Sequence, residues 1–471
     1  MFDNYLEYAV AKAVGETYKE NGMKQCISEW KDWYCGRNDD FHTIEVNNGV
    51  SVVKRPMFKL RMAKKIAEDW ADLLFNEKTD IVVNDTAARD FLLGKDGVLE
   101  KNNFRTEVNR LIEKSFALGT GAITVNIENA EIDTLGRLKK SPKGRLSLEY
   151  VGAENIFPIS HKNGKAIDIA FASNITVNGE DFVYVQIHKL ERDGYVLYSK
   201  LYSADSCEER GLPENITPVL RTGSQRPWFA IIKPNTVNEI FPDSPMGTSI
   251  FSAATDILKG IDLCYDSMNM EFYLGKKMVF MRKDMLEQDS AGNFYAPQDC
   301  NRQLFMYVGD KNIDGDMLPQ EFNPELRVSA HTEALREQLR YLASKCGLGE
   351  RSYSFDSGRV VTATQVISEN SAMFRTLKKH EMLLENAIVN LMKTILYIGR
   401  GFLSVEMAEN VEISVIFDDS IIEDKQSRQK NDLELVKEGL MMPYEFRMKY
   451  FGEDEETAKV KTERNESNGK H

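Results

Sequence analysis

Residues 347–381, GLGERSYSFDSGRVVTATQVISENSAMFRTLKKHE, run from a glycine- and serine-rich loop with two aromatics straight into a very long helix. Thr362-Ala363-Thr364-Gln365 has the S/T-x-x-E/Q spacing that satisfies two orphan amides at a helix start, so a helix is predicted to begin near Ala363. Nothing before Ile398 breaks it. Gly399-Arg400-Gly401 then supplies residues that tolerate the left-handed conformation of a helix end. Val366, Ile367, Met373, Phe374, Leu377, Leu384, Ile388, Leu391 and Ile395 recur mostly at three- and four-residue steps, which predicts one buried face. At about 1.5 Å per residue the element spans roughly 50 Å, long for a compact enzyme and suited to a strut in a large assembly.

Working outward, two shorter helices precede this loop. Ser244-Pro245 offers an N-cap and a first-turn proline, predicting a helix through Ile250, Ala254, Ile257, Ile261, Met268 and Phe272 to Gly275. Its other face carries Lys259, Asp262 and Asp266, mostly acidic. A second helix is predicted over about Ala330–Cys346. Between the two lies a small insert, 276–328, with strand-like runs at Met278–Met281 and Gln303–Val308.

The remainder mixes helices and strands. Helices are predicted over Asp3–Tyr18, around Trp30–Arg37 with Gly36 as its end, over the amphipathic Leu60–Phe75, and over Asn102–Ala117. The paired tryptophans Trp30 and Trp33 read as an aromatic anchor. Strands are predicted at Asp80–Val83 and Ala122–Ile127, and from Arg145 to about Pro234 the pattern turns to period two with Asn178-Gly179 and Asp193-Gly194 turns, an antiparallel meander. A strand at Val411–Phe417, a helix over about Asp424–Glu438 and another after Pro443 complete the chain, with a polar tail at 454–471 expected to be disordered at its end.

Composition removes several function classes. With 471 residues, 42% hydrophobic and 28% charged, the chain has the length for about three folded domains. Its best apolar run, Met382–Ile398, is interrupted by Glu385, Asn386, Asn390 and Lys393, and its first residues lack the basic charge and apolar core of a signal peptide, so no membrane span is expected and a cytosolic setting is. Six scattered cysteines form no C-x-x-C pair, and six dispersed histidines form no H-E-x-x-H. No cofactor or metal is expected. Gly119-Thr120-Gly121 follows a helix and precedes a strand, the reverse of a phosphate cradle, and no Walker sequence occurs. The formal charge of −13 disfavours tight DNA binding, yet an acidic wall that repels phosphate suits DNA sliding past it.

The order helix, small module, helix, loop, long helix is that of the portal proteins of tailed phages. The chain resembles the portal family of phages of Gram-positive hosts in Trp30–Arg37, Ala63–Glu77, Ser244–Lys259, Gly347–Glu381 and Phe417–Ile422, over nearly its whole length. The resemblance implies an α+β portal fold: a wing over 1–245 and 362–421, stem helices at 246–274 and 329–346, a small α/β clip at 275–328, a tunnel loop at 347–361 and a helical C-terminal crown from 422 to 471. It further implies a non-enzymatic dodecameric ring at one capsid vertex of the virion, assembled in the host cytoplasm. Double-stranded DNA passes through its axis, and the major capsid protein, scaffold, terminase and a head–tail adaptor are its partners. On this reading Gly349, Glu350, Arg351, Tyr353, Phe355 and Arg359 line the DNA channel from the tunnel loop, the aromatics either touching DNA or packing on the neighbouring subunit. Lys259, Asp262 and Asp266 face the channel from the stem.

One motif cuts across that reading. Asp310-Lys311-Asn312-Ile313-Asp314-Gly315-Asp316 through Glu321 fits the EF-hand loop pattern at every specified position. Its approach reads as a strand, and Pro319 with Asn323-Pro324 spoils an exiting helix, so the expectation is a polar turn. A monomeric α+β calcium-dependent hydrolase built on this loop is the alternative function.

Overall fold

The computed structural model describes residues 3–15, 22–47, 51–213, 216–281, 287–288, 290–292, 294–295, 305–307, 320–353, 363–417, 425–438, 441–451 and 457–462. In chain order the helices are α1 (Asp3–Val14), α2 (Met23–Cys35), α3 (Asp39–His42), α4 (Met62–Leu74), α5 (Thr86–Leu93), α6 (Val98–Lys101), α7 (Phe104–Leu118), α8 (Thr255–Leu274), α9 (Val328–Lys345), α10 (Ala363–Gly401), α11 (Lys425–Lys437) and α12 (Pro443–Phe451). Strands β1 (Thr43–Asn47) and β2 (Val52–Pro56) pair as a hairpin, and β3 (Asp80–Val83) pairs with a distant strand near residue 415. Then come β4 (Gly121–Glu128), β5 (Arg145–Gly152), β6 (Ile156–Lys162), β7 (Lys165–Val177), β8 (Glu180–Glu191), β9 (Gly194–Ser203), β10 (Glu209–Arg210), β11 (Val219–Arg221) and β12 (Phe229–Ile232). The last are β13 (Met278–Met281), β14 (Glu287–Gln288), β15 (Phe294–Tyr295), β16 (Phe305–Tyr307), β17 (Gln320–Phe322) and β18 (Ile413–Ile416), the partner of β3.

The chain divides into two compact units. The first comprises 1–20, 69–247 and 358–471, and the second comprises 21–68 and 248–357. Residues 21–68 therefore sort with α8 and α9, whereas the division implied by the resemblance kept 1–245 together.

In the first unit the period-two segment forms the sheet order β10-β9-β8-β7-β6, with β11 also paired to β9, and β12-β4-β5 makes a second sheet. One face of the larger sheet, Ala170, Ala172, Val183, Val185, Ile187 and Tyr202, buries Leu6, Ala9 and Val10 of α1. Alternation along β8 sends Gln186 and His188 to the opposite face, where Gln186 Nε2 donates to Asn126 Oδ1 of β4 at 3.0 Å and the His188 ring meets Phe171 and Phe229 edge-on. Each face of the sheet is thus covered by a different element, which is why the strands read as apolar on one side and mixed on the other.

The core of this unit is α10, 39 residues long, or about 58 Å. Leu377, Leu384, Ile388, Leu391, Met392, Ile395 and Ile398 are buried along one side, as the spacing predicts. Thr362, Val366 and Ile367 lie outside the residues described at side-chain level. Within residues 372–401 an 18-residue stretch is apolar and long enough to cross a bilayer, but half of that stretch is buried inside the protein, as in a core helix.

The helix ends at Gly401, within the Gly399–Gly401 run expected to end it, and Gly399 itself is still helical. Gly399 serves close packing: a Cβ there would lie 2.6 Å from Phe91 Cε1 of α5. Another boundary differs from expectation. Ser244-Pro245 does not start a helix, because Ser244 Oγ accepts from the Met246 amide at 3.2 Å, Pro245 O accepts from Lys233 Nζ at 2.7 Å, and the Gly247 amide bonds Thr120 Oγ1 at 2.9 Å. These bonds hold the segment irregular, and α8 begins only at Thr255 after one 3₁₀ turn.

Two buried histidines set how this unit responds to acid. Burial holds His188 down to about 3, and burial, with Lys379 beside it, holds His380 down to about 4, from an ordinary 6.5. His380 Nδ1 accepts the Asn235 amide at 2.9 Å while Trp70 and Phe116 enclose the ring. The folded chain refuses protons that the unfolded chain takes up near pH 6.5, so this stability is complete above that pH and is lost as pH falls toward 4. Urea midpoints are expected to drop between pH 7 and pH 5, each histidine contributing on the order of 2 kcal/mol. His380→Asn, which retains an acceptor for Asn235, should flatten that slope; an unchanged slope would place the sensitivity elsewhere.

Candidate functional site

The second unit is built on α8 and α9. Gly260 approaches Gln338, while Glu271 near the end of α8 binds Arg327 just before α9, so the two helices run antiparallel. Leu258 and Ile261 of α8 and Leu339, Leu342 and Ala343 of α9 are buried. At the far end, the Arg327 guanidinium, joined by the Arg327 amide, holds the Glu271 carboxyl down to about 2.

Asp262 and Asp266 do not sit on an open acidic face. They are 4% and 3% exposed and fully engaged within this unit. Asp262 Oδ2 accepts from His42 Nε2 at 2.8 Å and its Oδ1 accepts the Leu60 amide at 2.8 Å. Asp266 takes a two-pronged bond from Arg55, Nη1 to Oδ1 and Nη2 to Oδ2 both at 2.8 Å, and its Oδ1 also accepts the Phe58 amide at 3.0 Å. The arrangement follows from geometry. Four residues of helix rise about 6 Å, two residues of extended chain advance about 6.6 Å, and alternate amides of an extended chain point the same way. Two carboxylates one helical turn apart therefore meet two amides two residues apart.

The acids are thus structural clamps, and the expectation that they face a channel fails on their burial and pairing. Lys259 alone of the three predicted stem residues is half-exposed, with Nζ 3.1 Å from Asp256 Oδ1. The sequence offers no local signal for these partners, because Arg55 and His42 lie over 200 positions away and helical spacing does not say what covers a polar face.

The loop after α9 begins as a defined turn. The Leu348 amide donates to Ala343 O at 2.8 Å, the Gly347 amide donates to Ser344 O at 3.2 Å, and Gly347 takes φ 78°. This is the Schellman arrangement, with Leu348 buried beneath it, so Gly347 caps the helix and is not a point of mobility. Glu350 is brought back to α9, its Oε2 3.1 Å from Arg340 Nε, and the Ser352 amide bonds Gly349 O at 2.9 Å. Arg351 is exposed and Tyr353 half-buried, both on this turn. Phe355 and Arg359 lie outside the described residues. The structure therefore gathers Gly349, Glu350, Arg351 and Tyr353 at one end of the helix pair and places Asp262 and Asp266 in its interior.

The outer faces of the two helices differ in chemistry. Along α8, Leu263 (52% exposed), Phe272, Tyr273 (65% exposed) and Leu274 stand in solvent. Along α9 the exposed positions are mostly polar or charged, with Glu333, Arg336, Glu337 and Arg340. The exposed apolar side chains gathered at the C-terminal end of α8, beside a charged stripe on α9, mark that end as a surface to be covered.

No group of three or more histidine, cysteine or acidic side chains able to hold a metal occurs among the described residues. The Asp310–Asp316 run lies outside them. Its described flanks, β16 and β17, are strands that pair with β13, where an EF-hand loop has helices. Among the described cysteines, Cys207 and Cys346 are buried, and burial raises the Cys346 thiol to about 12.

Removing one clamp leaves a guanidinium and an amide without their carboxylate. Asp266→Ala is expected to lower stability by roughly 3–5 kcal/mol, and Asp266→Asn by less because one acceptor for Phe58 survives. Arg55 holds the Asp266 carboxyl below its ordinary range, so this contribution is present at neutral pH and disappears only in acid below about pH 4. Chemical denaturation of the three proteins at pH 7 checks the order wild type, Asn, Ala.

A family model described as phage portal protein, SPP1 Gp6-like, matches residues 17–470. No curated protein matches the chain.

Proposed function

The chain belongs to the phage portal family, SPP1 Gp6-like, and from that premise we propose that its copies close into a dodecameric ring at one capsid vertex, through which double-stranded DNA is packaged and ejected. Portal proteins are structural components of the virion capsid that act as oligomeric assemblies, and the family is not enzymatic. The family match over nearly the whole chain carries the reading. The unlike chemistry of α8 and α9 supports it: exposed Phe272, Tyr273 and Leu274 at the end of α8 call for a neighbour, and the charged stripe of α9 suits a water-filled lumen.

The role is passive. A separate terminase supplies ATP hydrolysis while the ring guides DNA, and a net charge of −13 keeps the wall from gripping phosphate. Twelve copies of the segment 347–361 line the narrowest passage, where Gly349 and Glu350 shape the turn. Arg351, Tyr353, Phe355 and Arg359 meet phosphate and sugar. The insert 275–328 is the docking platform for terminase and later for the head–tail adaptor, and the ring is set into the capsid with scaffold and major capsid protein in the host cytoplasm.

Light scattering with negative-stain imaging tests the assembly: a particle near twelve times 53.7 kDa with an axial hole is expected. Deletion of residues 352–357 should leave that particle intact and abolish DNA packaging in a reconstituted head. Normal packaging by such rings would remove the loop from the mechanism.

A further inference from the structure

Residues 235–247 of the first unit form a loop fixed by its own side chains. Asn238 is buried, its Oδ1 accepting the Ile240 and Phe241 amides at 3.1 and 2.8 Å and its Nδ2 donating to Met246 O at 3.0 Å. Asn235 ties the loop to α10 through Nδ2 to Lys379 O at 2.6 Å. This frame presents Val237, 83% exposed, together with exposed Ile240 and Phe241, and the acids Glu239 and Asp243 stand exposed between and beside them. A rigid loop that holds apolar side chains in water is stabilised only when something covers them.

A receiving site lies on the same unit. A cavity of about 280 Å³ is lined by Leu396, Met407 and Val411 together with Arg226, Lys393 and Arg400. Glu409 and Glu412 also line it, so three cations face two carboxylates, and Arg400 Nη1 donates to Glu409 O at 3.2 Å. The loop is apolar with acidic flanks, and the cavity is lined mainly by polar side chains with an excess of positive charge, alongside a smaller apolar share from Leu396, Met407, Ala408 and Val411. Loop and cavity are both attached to α10, sixteen residues apart between His380 and Leu396, which is about 24 Å along a rigid helix. The loop therefore cannot fill the cavity of its own chain.

We propose that the loop 236–243 of one copy seats in this cavity of the next, with Val237 or Phe241 packing on Leu396, Met407 and Val411 and with Glu239 and Asp243 meeting Arg226 and Lys393. Knob and hole are different surfaces, so the contact is head-to-tail and propagates until the ring closes. The inference rests on the assembly reading above and adds to it a specific subunit contact.

Val237→Asp tests it at a side chain with no role in folding. The full-length variant should keep its thermal midpoint while the concentration for half-assembly, read by light scattering, rises at least tenfold. Val237→Cys combined with Ala408→Cys, Ala408 being exposed on the cavity wall, should give a ladder of disulfide-linked oligomers under mild oxidation that neither single variant gives. Wild-type rings together with an unaltered Val237→Asp assembly and no ladder would overturn the contact alone. A wild-type chain that stays monomeric at every concentration would overturn the ring and the contact together.

Discussion

The 39-residue helix α10 can exist only if its apolar side leaves water, and the first unit is organised by that requirement. Leu377, Leu384, Ile388, Leu391 and Ile395 supply one continuous buried stripe, and β12, β18 and α5 close over it. The closeness of α5 explains a glycine at 399, where a methyl group would press on Phe91. His380 is drawn into the same interior by its position in the helix and is kept neutral there, bonded to Asn235 and enclosed by Trp70 and Phe116. Packing, pH response and the anchoring of the 235–247 loop are thus consequences of one burial.

The second unit meets the opposite problem. Its two main helices bury few large apolar side chains between them, and two carboxylates are buried as well. A buried acid is tolerable only when its lone pairs are used. Asp262 and Asp266 have theirs taken by two side chains, His42 just before the β1–β2 hairpin and Arg55 in β2, and by the two main-chain amides of Phe58 and Leu60 just after it. What reads in isolation as a repulsive acidic surface is the fastening between two parts of the sequence.

Much of the fold was legible because periodicity is a local property. The strand at Asp80–Val83, the meander from Arg145, the helix beginning at Ala363 and the helix near Ala330 all appear where alternation or three- and four-residue spacing put them. The failures share a cause. Ser244-Pro245 has the residues of a helix start, but bonds from Lys233 and Thr120, distant in sequence, hold it irregular. Lys259, Asp262 and Asp266 were grouped by helical spacing, yet only their distant partners decide that two are interior and one is not. Of the candidate site, the turn carrying Gly349 to Tyr353 was visible in composition, while the clamp was invisible until Arg55 and His42 were brought to it.

The match between helix rise and strand advance at the clamp also makes it a register device. A slip of one residue in the 57–60 segment would turn both amides away from α8 and swing their carbonyls toward the carboxylates, replacing attraction with repulsion. A slip of two would leave one acid without an amide and carry Arg55 out of line with Asp266. The segment therefore behaves as a two-toothed key with one seat. An insertion or deletion between residues 55 and 60 should be far less tolerated than its partly exposed, irregular backbone suggests.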